Sequence, residues 1–273
     1  MINIMENTHI HNETTHAHST PHVVSKKQKN YSNLITPGAI ILAGILIAIA
    51  LYTRGNPAEL SKNNKDLVNG ALTGPKVEFT DIKSTDHIRG SKDAKIVFIE
   101  YSDIECPYCK QYHVEMKKVY DELGKDKEVA WVYRHFPISY GKNPRHPNSA
   151  KKAEATECAA EIGGSDMFWR YLDEIYSASS INGELDISKL PEIAITVGLD
   201  KEKFKACLDS GKYAAKVKDS YDEAVKAGAK GTPYTVVKYK NEFIPLLDAN
   251  GDGLGALKFE MLKQIVSELL SQD

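Results

Sequence analysis

Residues 95–109 have the sequence KIVFIEYSDIECPYC. The segment begins with a short run of β-branched and aromatic residues, 95–101, which predicts a buried strand. Cys106-Pro107-Tyr108-Cys109 follows, and after it apolar residues recur at spacings of three and four until Gly124, a pattern typical of an amphipathic helix. The stretch therefore predicts a strand that leads into a helix with two cysteines at its start.

The rest of the chain downstream predicts an α/β domain. Residues 129–136, closed by Pro137, again have strand composition, and two strands joined through a helix form a parallel pair. Helical patterns dominate from about 144 to 228, where Gly163-Gly164 is expected to end one helix. Strands at 234–239 and 242–247 and a helix at 256–270 are expected to complete the domain.

An apolar segment precedes this domain. Residues 30–53 carry no charge and 34–52 are nearly all apolar, which is long enough for a helix to cross a hydrocarbon core of ~30 Å. We therefore expect a single transmembrane anchor at 34–53. Lysines precede it and only Arg54 follows closely, which favours a cytoplasmic N-terminus and an extracytoplasmic domain. The alternative is a cleaved signal peptide, because residues 48–50 have the A-x-A form of a cleavage site.

Polar segments flank the expected anchor. Residues 1–33 hold five of the nine histidines and few apolar residues, so we expect a disordered cytoplasmic tail, with metal binding by its histidines as the alternative. Residues 54–80 are polar and contain three glycines and two prolines, and we expect them to link the anchor to a domain at 81–273. The formal net charge of −2 leaves no basic excess to neutralise phosphates, which excludes nucleic acid as a partner.

The two neighbouring cysteines have different expected roles. Proline is best tolerated at the first helical position, so Pro107 makes Cys106 the N-cap. There a sulfur receives N–H groups of the first turn and the positive end of the helix dipole, which favour the thiolate. Cys106 is therefore the expected nucleophile and Cys109, one turn inside, the resolving thiol. Tyr108 is expected to modulate the pair, Lys110 to favour the thiolate and Glu105 to oppose it.

A C-x-x-C pattern also occurs in zinc sites and in ordinary structural turns. A structural zinc needs two further ligands, and Cys158 and Cys207 are not spaced as a second pair. Asp248 to Gly253 has the form of half a calcium loop, but its twelfth position is Phe259, where a glutamate is required. We expect a turn there, and no metal or cofactor for the domain.

The sequence resembles the thioredoxin-like disulfide oxidoreductases of the DsbA type over about residues 85–270. The resemblance lies in FIEYSDIECPYCK at 98–110, CAA at 158–160, FKACL at 204–208 and GTP at 231–233. It implies a thioredoxin fold with a helical insertion, at about 144–228, between the second and third strands of that fold. The Pro-Tyr dipeptide departs from the Pro-His of the best-known periplasmic oxidases, which puts the redox potential in doubt.

The resemblance also implies roles for individual residues. Pro233 should follow a cis peptide bond beside the cysteines, and the Thr232 backbone should pair with an extended substrate segment. Glu100 matches a buried acid that could accept the proton of Cys109; a solvated glutamate at a strand end is the alternative. Cysteines near positions 158 and 207 are joined in some relatives, so a structural disulfide is expected there, with two buried thiols as the alternative.

The expected function is that of an extracytoplasmic thiol-disulfide oxidoreductase. It would form disulfides in cysteine-containing exported proteins by mixed-disulfide exchange, and a membrane thiol oxidase would recycle it, as the resemblance implies. A disulfide isomerase or reductase is the nearest alternative. A non-catalytic module that binds metal through Cys106 and Cys109 is the alternative from another class.

Overall fold

The computed structural model describes residues 66, 68–72, 79–124, 127–141 and 145–272. The tail expected at 1–33, the anchor expected at 34–53 and much of the linker expected at 54–80 lie outside these residues. Among the described helices, none combines the length and apolar character needed to cross a membrane. The described residues belong to one compact unit, 57–273.

Five strands form one mixed sheet in the order β1-β3-β2-β4-β5. β2 and β3 are parallel, and the pairs β1–β3, β2–β4 and β4–β5 are antiparallel. The parallel pair and β4 confirm the strands expected there. The strands are β1 (His87–Arg89), β2 (Ile96–Ser102), β3 (Val129–His135), β4 (Tyr234–Tyr239) and β5 (Glu242–Pro245).

The two central strands, β2 and β3, are buried along their whole length. Side chains alternate between the two faces of a strand, so Ile96 and Phe98 join the larger core while Val97 and Ile99 join a smaller one on the opposite face. The same alternation directs Glu100 toward the face of the larger core, where the helix that carries the cysteines also packs.

Within residues 79–272, as far as the structure describes them, six α-helices cover the sheet and form the insertion. α1 packs against α6 and β3, and α2 packs against β1 and the other insertion helices α3, α4 and α5. The helices are α1 (Pro107–Leu123), α2 (Ser149–Ala178), α3 (Leu190–Thr196), α4 (Lys201–Ser210), α5 (Ala214–Lys226) and α6 (Phe259–Leu270). The four insertion helices lie between β3 and β4, as the resemblance implies.

One helix boundary inside α2 lies where the sequence predicts it. Gly163-Gly164 ends a first helical run, because Gly164 takes the non-helical angles φ 78° and ψ −173°, and a second run follows across a kink within the span 149–178. Glycine reaches this conformation without the steric cost of a side chain. The kink redirects the second half of α2, and the helical run resumes.

Two further segments bear on the expected boundaries. Residues 68–72, within the expected linker, are helical, and Val68 and Ala71 are buried in the larger core, so this part packs on the domain. Asp248 accepts hydrogen bonds from the backbone N–H groups of Asn250 and Asp252 at 2.8 and 3.0 Å. That segment is a turn, as expected.

Candidate active site

The two cysteines of the C-x-x-C motif lie where the central strand β2 leads into α1. Cys106 is the N-cap of α1 in an extended conformation, and Pro107 is the first helical residue, as the sequence predicts. Proline suits this position because its missing N–H would have no intrahelical partner. The local sequence therefore places both sulfurs at the end of the sheet.

The two thiols are free and differ in their surroundings. Cys106 is 5% exposed and its thiol donates toward the backbone carbonyl of Thr232, 3.6 Å away. Cys109 is fully buried, and its sulfur accepts a hydrogen bond of 3.4 Å from the backbone N–H of Asp103. Only Cys106 thus faces the position from which another molecule can approach.

The electrostatics separate the two groups further. A hydrogen bond from the Cys109 thiol outweighs the effect of burial and lowers the pKa of Cys106 to about 6. The Thr232 side chain and the N–H groups of the first helical turn lower the same pKa. Burial, followed by the hydrogen bond and the charge of Cys106, raises the pKa of Cys109 well above its ordinary value.

The neutral thiol does not cap the helix as the sequence predicts. Cys106 makes no side-chain hydrogen bond to the first turn of α1, because its proton is directed toward Thr232 instead. The first-turn N–H groups stabilise the thiolate form, which has lost that proton. The Cys106 sulfur therefore acts as a helix cap when it is a thiolate.

Glu100 is fully buried rather than solvated. One carboxylate oxygen accepts a hydrogen bond of 2.9 Å from the indole N–H of Trp131, and the other has no hydrogen-bond partner. Burial raises the pKa of Glu100 to about 8, against the lowering effect of the polar side chains of Ser102 and Trp131. The negative charge of Glu100 in turn contributes to the raised pKa of Cys109.

The charged residues that flank the cysteine motif are engaged with other groups. Glu105 forms an ion pair of 2.6 Å with Lys152, which is completely buried, so little of its charge opposes a thiolate. The Lys110 ammonium donates to the Ser179 carbonyl oxygen at 2.6 Å. Both contacts join α1 and its N-terminal loop to the insertion, a role that the sequence does not predict for these residues.

Tyr108 and the glycine-threonine-proline segment lie on either side of Cys106. The Tyr108 side chain is 62% exposed, and the Thr232–Pro233 peptide bond is cis. An open cavity of about 560 Å³ lies beside them. It is lined by Cys106, Pro107, Tyr108, Phe136, Ile138, Gly141, Arg145, His146, Tyr221, Lys230, Gly231 and Thr232.

Cys158 and Cys207 form a disulfide that joins α2 to α4, with an S–S distance of 2.01 Å and a Cα–Cα distance of 5.8 Å. The sequence left this open between a bonded pair and two thiols. Both residues lie in the insertion and are nearly buried, apart from the pair at Cys106 and Cys109. The disulfide therefore links two helices of the insertion and lies apart from the Cys106–Cys109 pair.

Sequence reasoning missed two residues of the site, Asp103 and His146. The Asp103 carboxylate is completely buried and lies 3.1 Å from His146 Nδ1, and His146 lines the cavity beside Cys106. Asp103 is three residues from Cys106, and its position could have singled it out. His146 is separated from the motif by the rest of α1, by β3 and by a loop, and no pattern in the sequence indicates it.

Comparison with known proteins identifies one family model that matches the chain and several solved structures with a similar fold. A family model described as Thioredoxin matches residues 83–243. The crystal structure of Pseudomonas aeruginosa DsbA2 is similar with a TM-score of 0.54 at 24% identity, over 71% of this chain and 98% of that one. Oxidised BdbD from Bacillus subtilis is similar with a TM-score of 0.58 at 19% identity, over 72% and 100%. At these identities the likeness shows the fold.

The curated relatives are much longer proteins. Na(+)/H(+) antiporter NhaA of Herminiimonas arsenicoxydans is 35% identical over 148 residues, which are 54% of this chain and 21% of that protein. Na(+)/H(+) antiporter NhaA 1 of Mycolicibacterium gilvum (strain PYR-GCK) is 31% identical over 157 residues, 57% of this chain and 24% of that protein. The chain thus spans less than a quarter of the length of these relatives.

Proposed function

We propose that this chain, which belongs to the thioredoxin family, is a thiol-disulfide oxidoreductase in which Cys106 exchanges with substrate and Cys109 resolves. The observation that carries the proposal is the asymmetry of the two thiols. Cys106 borders an open cavity and has a pKa lowered to about 6 by its hydrogen bond with Cys109, whereas Cys109 is buried with a raised pKa. A thiolate is the attacking and leaving species in disulfide exchange.

In the oxidising direction, the reaction begins with the Cys106–Cys109 disulfide. A substrate thiolate attacks the Cys106 sulfur, the bond to Cys109 breaks, and Cys109 leaves with the electron pair. A second substrate thiolate then attacks the first substrate sulfur and releases Cys106 as a thiolate. The substrate gains one disulfide, and two electrons remain on the chain as the reduced pair. The low pKa of Cys106 makes it the better leaving group in this last step.

Glu100 is placed to handle the proton of Cys109. Its pKa, raised to about 8 by burial, lies near neutrality, where a group both takes and gives protons efficiently. In the oxidising direction a protonated Glu100 supplies a proton to the departing Cys109 thiolate. In the reducing direction the ionised carboxylate accepts it.

Oxidation is the direction that we propose. A pKa of about 6 for Cys106 means that the thiolate is favoured in the folded protein, and stabilisation of the reduced form makes a disulfide a stronger oxidant. An isomerase or reductase would use the same pair with electrons supplied from elsewhere. The metal-binding alternative needs further ligands, and within the described ranges no group of three or more His, Cys, Asp or Glu residues could hold a metal ion.

Exported proteins with cysteines are the proposed substrates, bound as extended segments along Thr232 and the adjacent cavity. The Thr232 carbonyl faces the Cys106 sulfur, so a segment there would bring its own sulfur close. An extracytoplasmic location and a membrane thiol oxidase as recycling partner are part of the proposal. Two observations support the location: the uncharged apolar segment at 34–52 and the Cys158–Cys207 disulfide, since disulfides persist in oxidising compartments.

The test is turnover of a reduced two-cysteine peptide by the oxidised protein, followed by mass spectrometry. Cys106→Ala should abolish oxidation, and so should Cys109→Ala, which cannot form the internal disulfide. Given a single-cysteine peptide as its glutathione mixed disulfide, Cys109→Ala should release glutathione and keep the peptide bonded to Cys106, because the resolving thiol is missing. The matched control replaces both Cys158 and Cys207 with alanine and should retain turnover while the protein remains folded. Peptide oxidation that survives in Cys106→Ala would contradict the proposed function.

A further inference from the structure

A buried carboxylate connects the cysteine motif to a histidine from a distant loop. Asp103 lies between β2 and α1, and its two carboxylate oxygens accept hydrogen bonds of 2.7 Å from the backbone N–H groups of Glu105 and Ile138. Its side chain is completely buried and lies 3.1 Å from Nδ1 of His146. The carboxylate is therefore fixed in place, within ion-pair distance of the imidazole.

The same aspartate also contacts the reactive pair. Its backbone N–H donates to the Cys109 sulfur at 3.4 Å, and His146 borders the cavity that Cys106 and Thr232 line. The imidazole is only 19% exposed, so its charge acts in a partly desolvated space, where electrostatic interactions are stronger than in water. The dipeptide between the cysteines, by contrast, contributes no charge, and its Tyr108 side chain is 62% exposed.

We propose that His146, held by Asp103, is a positioning residue that stabilises the Cys106 thiolate with the positive charge of its imidazolium. His146 lies in the loop before α2, and it supplies the positive charge that the Pro107-Tyr108 dipeptide lacks. The inference rests on the proposed role of Cys106 as the exchanging thiol. The inference adds His146 as a residue that controls the reactivity of the Cys106 thiol.

The other charged groups of this region are engaged elsewhere or more exposed. The Lys230 ammonium is 69% exposed and pairs with Asp252 at 2.7 Å, and Glu105 is neutralised by the buried Lys152. The remaining cation of the cavity is Arg145, next to His146 in the chain. The charged or titratable groups that face His146 or Cys106 are Glu100, Asp103, Glu105, Tyr108, Cys109, Arg145, Glu184, Asp186, Tyr221 and Lys230.

The interactions around His146 favour the charged form of its imidazole. Interaction with Asp103 raises the pKa of His146 above its ordinary value, against the effect of burial, and the charge of Cys106 raises it further. Because coupling between two sites is reciprocal, the imidazolium must stabilise the thiolate to the same extent. The two groups form an ion pair between the pKa of Cys106 and that of His146.

The first experiment measures the pKa of Cys106 in the reduced full chain, from thiolate absorbance and from the rate of alkylation by iodoacetamide. His146→Gln should raise that pKa, because it removes an opposite charge from the cavity beside Cys106, and each unit of that rise would slow alkylation at pH 5 about tenfold. His146→Lys restores a positive charge and should recover most of the rate. Arg145→Gln, which removes a charge from the same loop without touching Asp103, should have a clearly smaller effect.

A second experiment measures the pKa of the His146 imidazole by NMR in the reduced protein and in Cys106→Ser. The serine removes the thiolate and should lower the His146 pKa by the same amount that His146→Gln raises that of Cys106. This readout does not depend on how well the His146 variants fold.

The outcomes separate this inference from the proposed function. An unchanged Cys106 pKa in His146→Gln, equal shifts in Arg145→Gln and His146→Gln, or an unchanged His146 pKa in Cys106→Ser would each overturn the inference and leave the exchange reaction intact. Failure of the proposed function would instead appear as loss of peptide turnover in the unmodified protein, whatever the two pKa values.

Discussion

Replacement of Glu100 by glutamine should change how the stability of the protein depends on pH. The pKa of this carboxyl is raised from 4.5 to about 8 by burial. Between these values the folded state holds a proton that the unfolded state has released, so the stability is fully present below pH 4.5 and is lost as the pH rises toward 8. The loss is about 1.4 kcal/mol per pH unit, or about 5 kcal/mol over the whole window.

The glutamine variant lacks this titration and keeps the shape of the side chain, including an acceptor for the Trp131 indole N–H. Its free energy of unfolding relative to the parent should therefore rise by about 1.4 kcal/mol for each pH unit between 5 and 7. The comparison is made by urea denaturation in a Cys106→Ala background, so that the thiolate does not titrate in the same range. Glu192→Gln, whose parent carboxyl is 62% exposed, is the matched control and should show no such slope.

Parallel pH dependences for Glu100→Gln and its parent would refute this reasoning. They would mean that Glu100 is already ionised in the folded protein at pH 5. The carboxyl could then neither supply a proton to Cys109 in the oxidising direction nor change protonation state near neutral pH. Its proposed part in the reaction would have to be withdrawn, although the exchange between the two cysteines would not.

Three further changes test the packing around the site by urea denaturation. Replacing Cys158 and Cys207 together with alanine should lower the free energy of unfolding by about 4 kcal/mol, because the bond closes a separation of 49 residues; no change would show that the bond does not form. Gly183→Ala should cost more than about 1 kcal/mol, because φ is +79° and the new Cβ would lie 2.1 Å from the Glu105 carbonyl oxygen; a neutral effect would contradict that contact. Lys152→Met should cost about 3–5 kcal/mol by leaving the Glu105 carboxylate buried and unpaired, and a stabilised variant would show that the ion pair is dispensable.

Local sequence patterns were sufficient to predict the strand and the helix at the centre of the fold. The β-branched run of β2, the proline after Cys106 and the helical spacing that follows each favour one local structure, and the structure contains a strand at Ile96–Ser102 and a helix at Pro107–Leu123. β1 escaped prediction because three residues, His87–Arg89, are too few to show a periodic pattern. It forms only because β3 offers a free edge.

The parts of the site that depend on tertiary contact could not be predicted from pattern. Glu100 could have been solvated or buried, and the outcome depends on the packing of α1 over the larger core and on the Trp131 side chain from β3. The contact between Asp103 and His146 joins residues from separate loops. Gly164 ends one helical run as predicted, but the direction of the run that follows depends on its packing into the larger core.

The reduction potential of the Cys106/Cys109 pair, measured in the purified protein against glutathione buffers, tests the central claim most directly. The lowered pKa of Cys106 predicts one reversible two-electron couple between about −270 mV, the value of thioredoxin, and about −120 mV, that of the strong oxidant DsbA. The couple should disappear in Cys106→Ala and persist when Cys158 and Cys207 are both replaced. Absence of a reversible couple, or a couple that survives Cys106→Ala, would contradict the account.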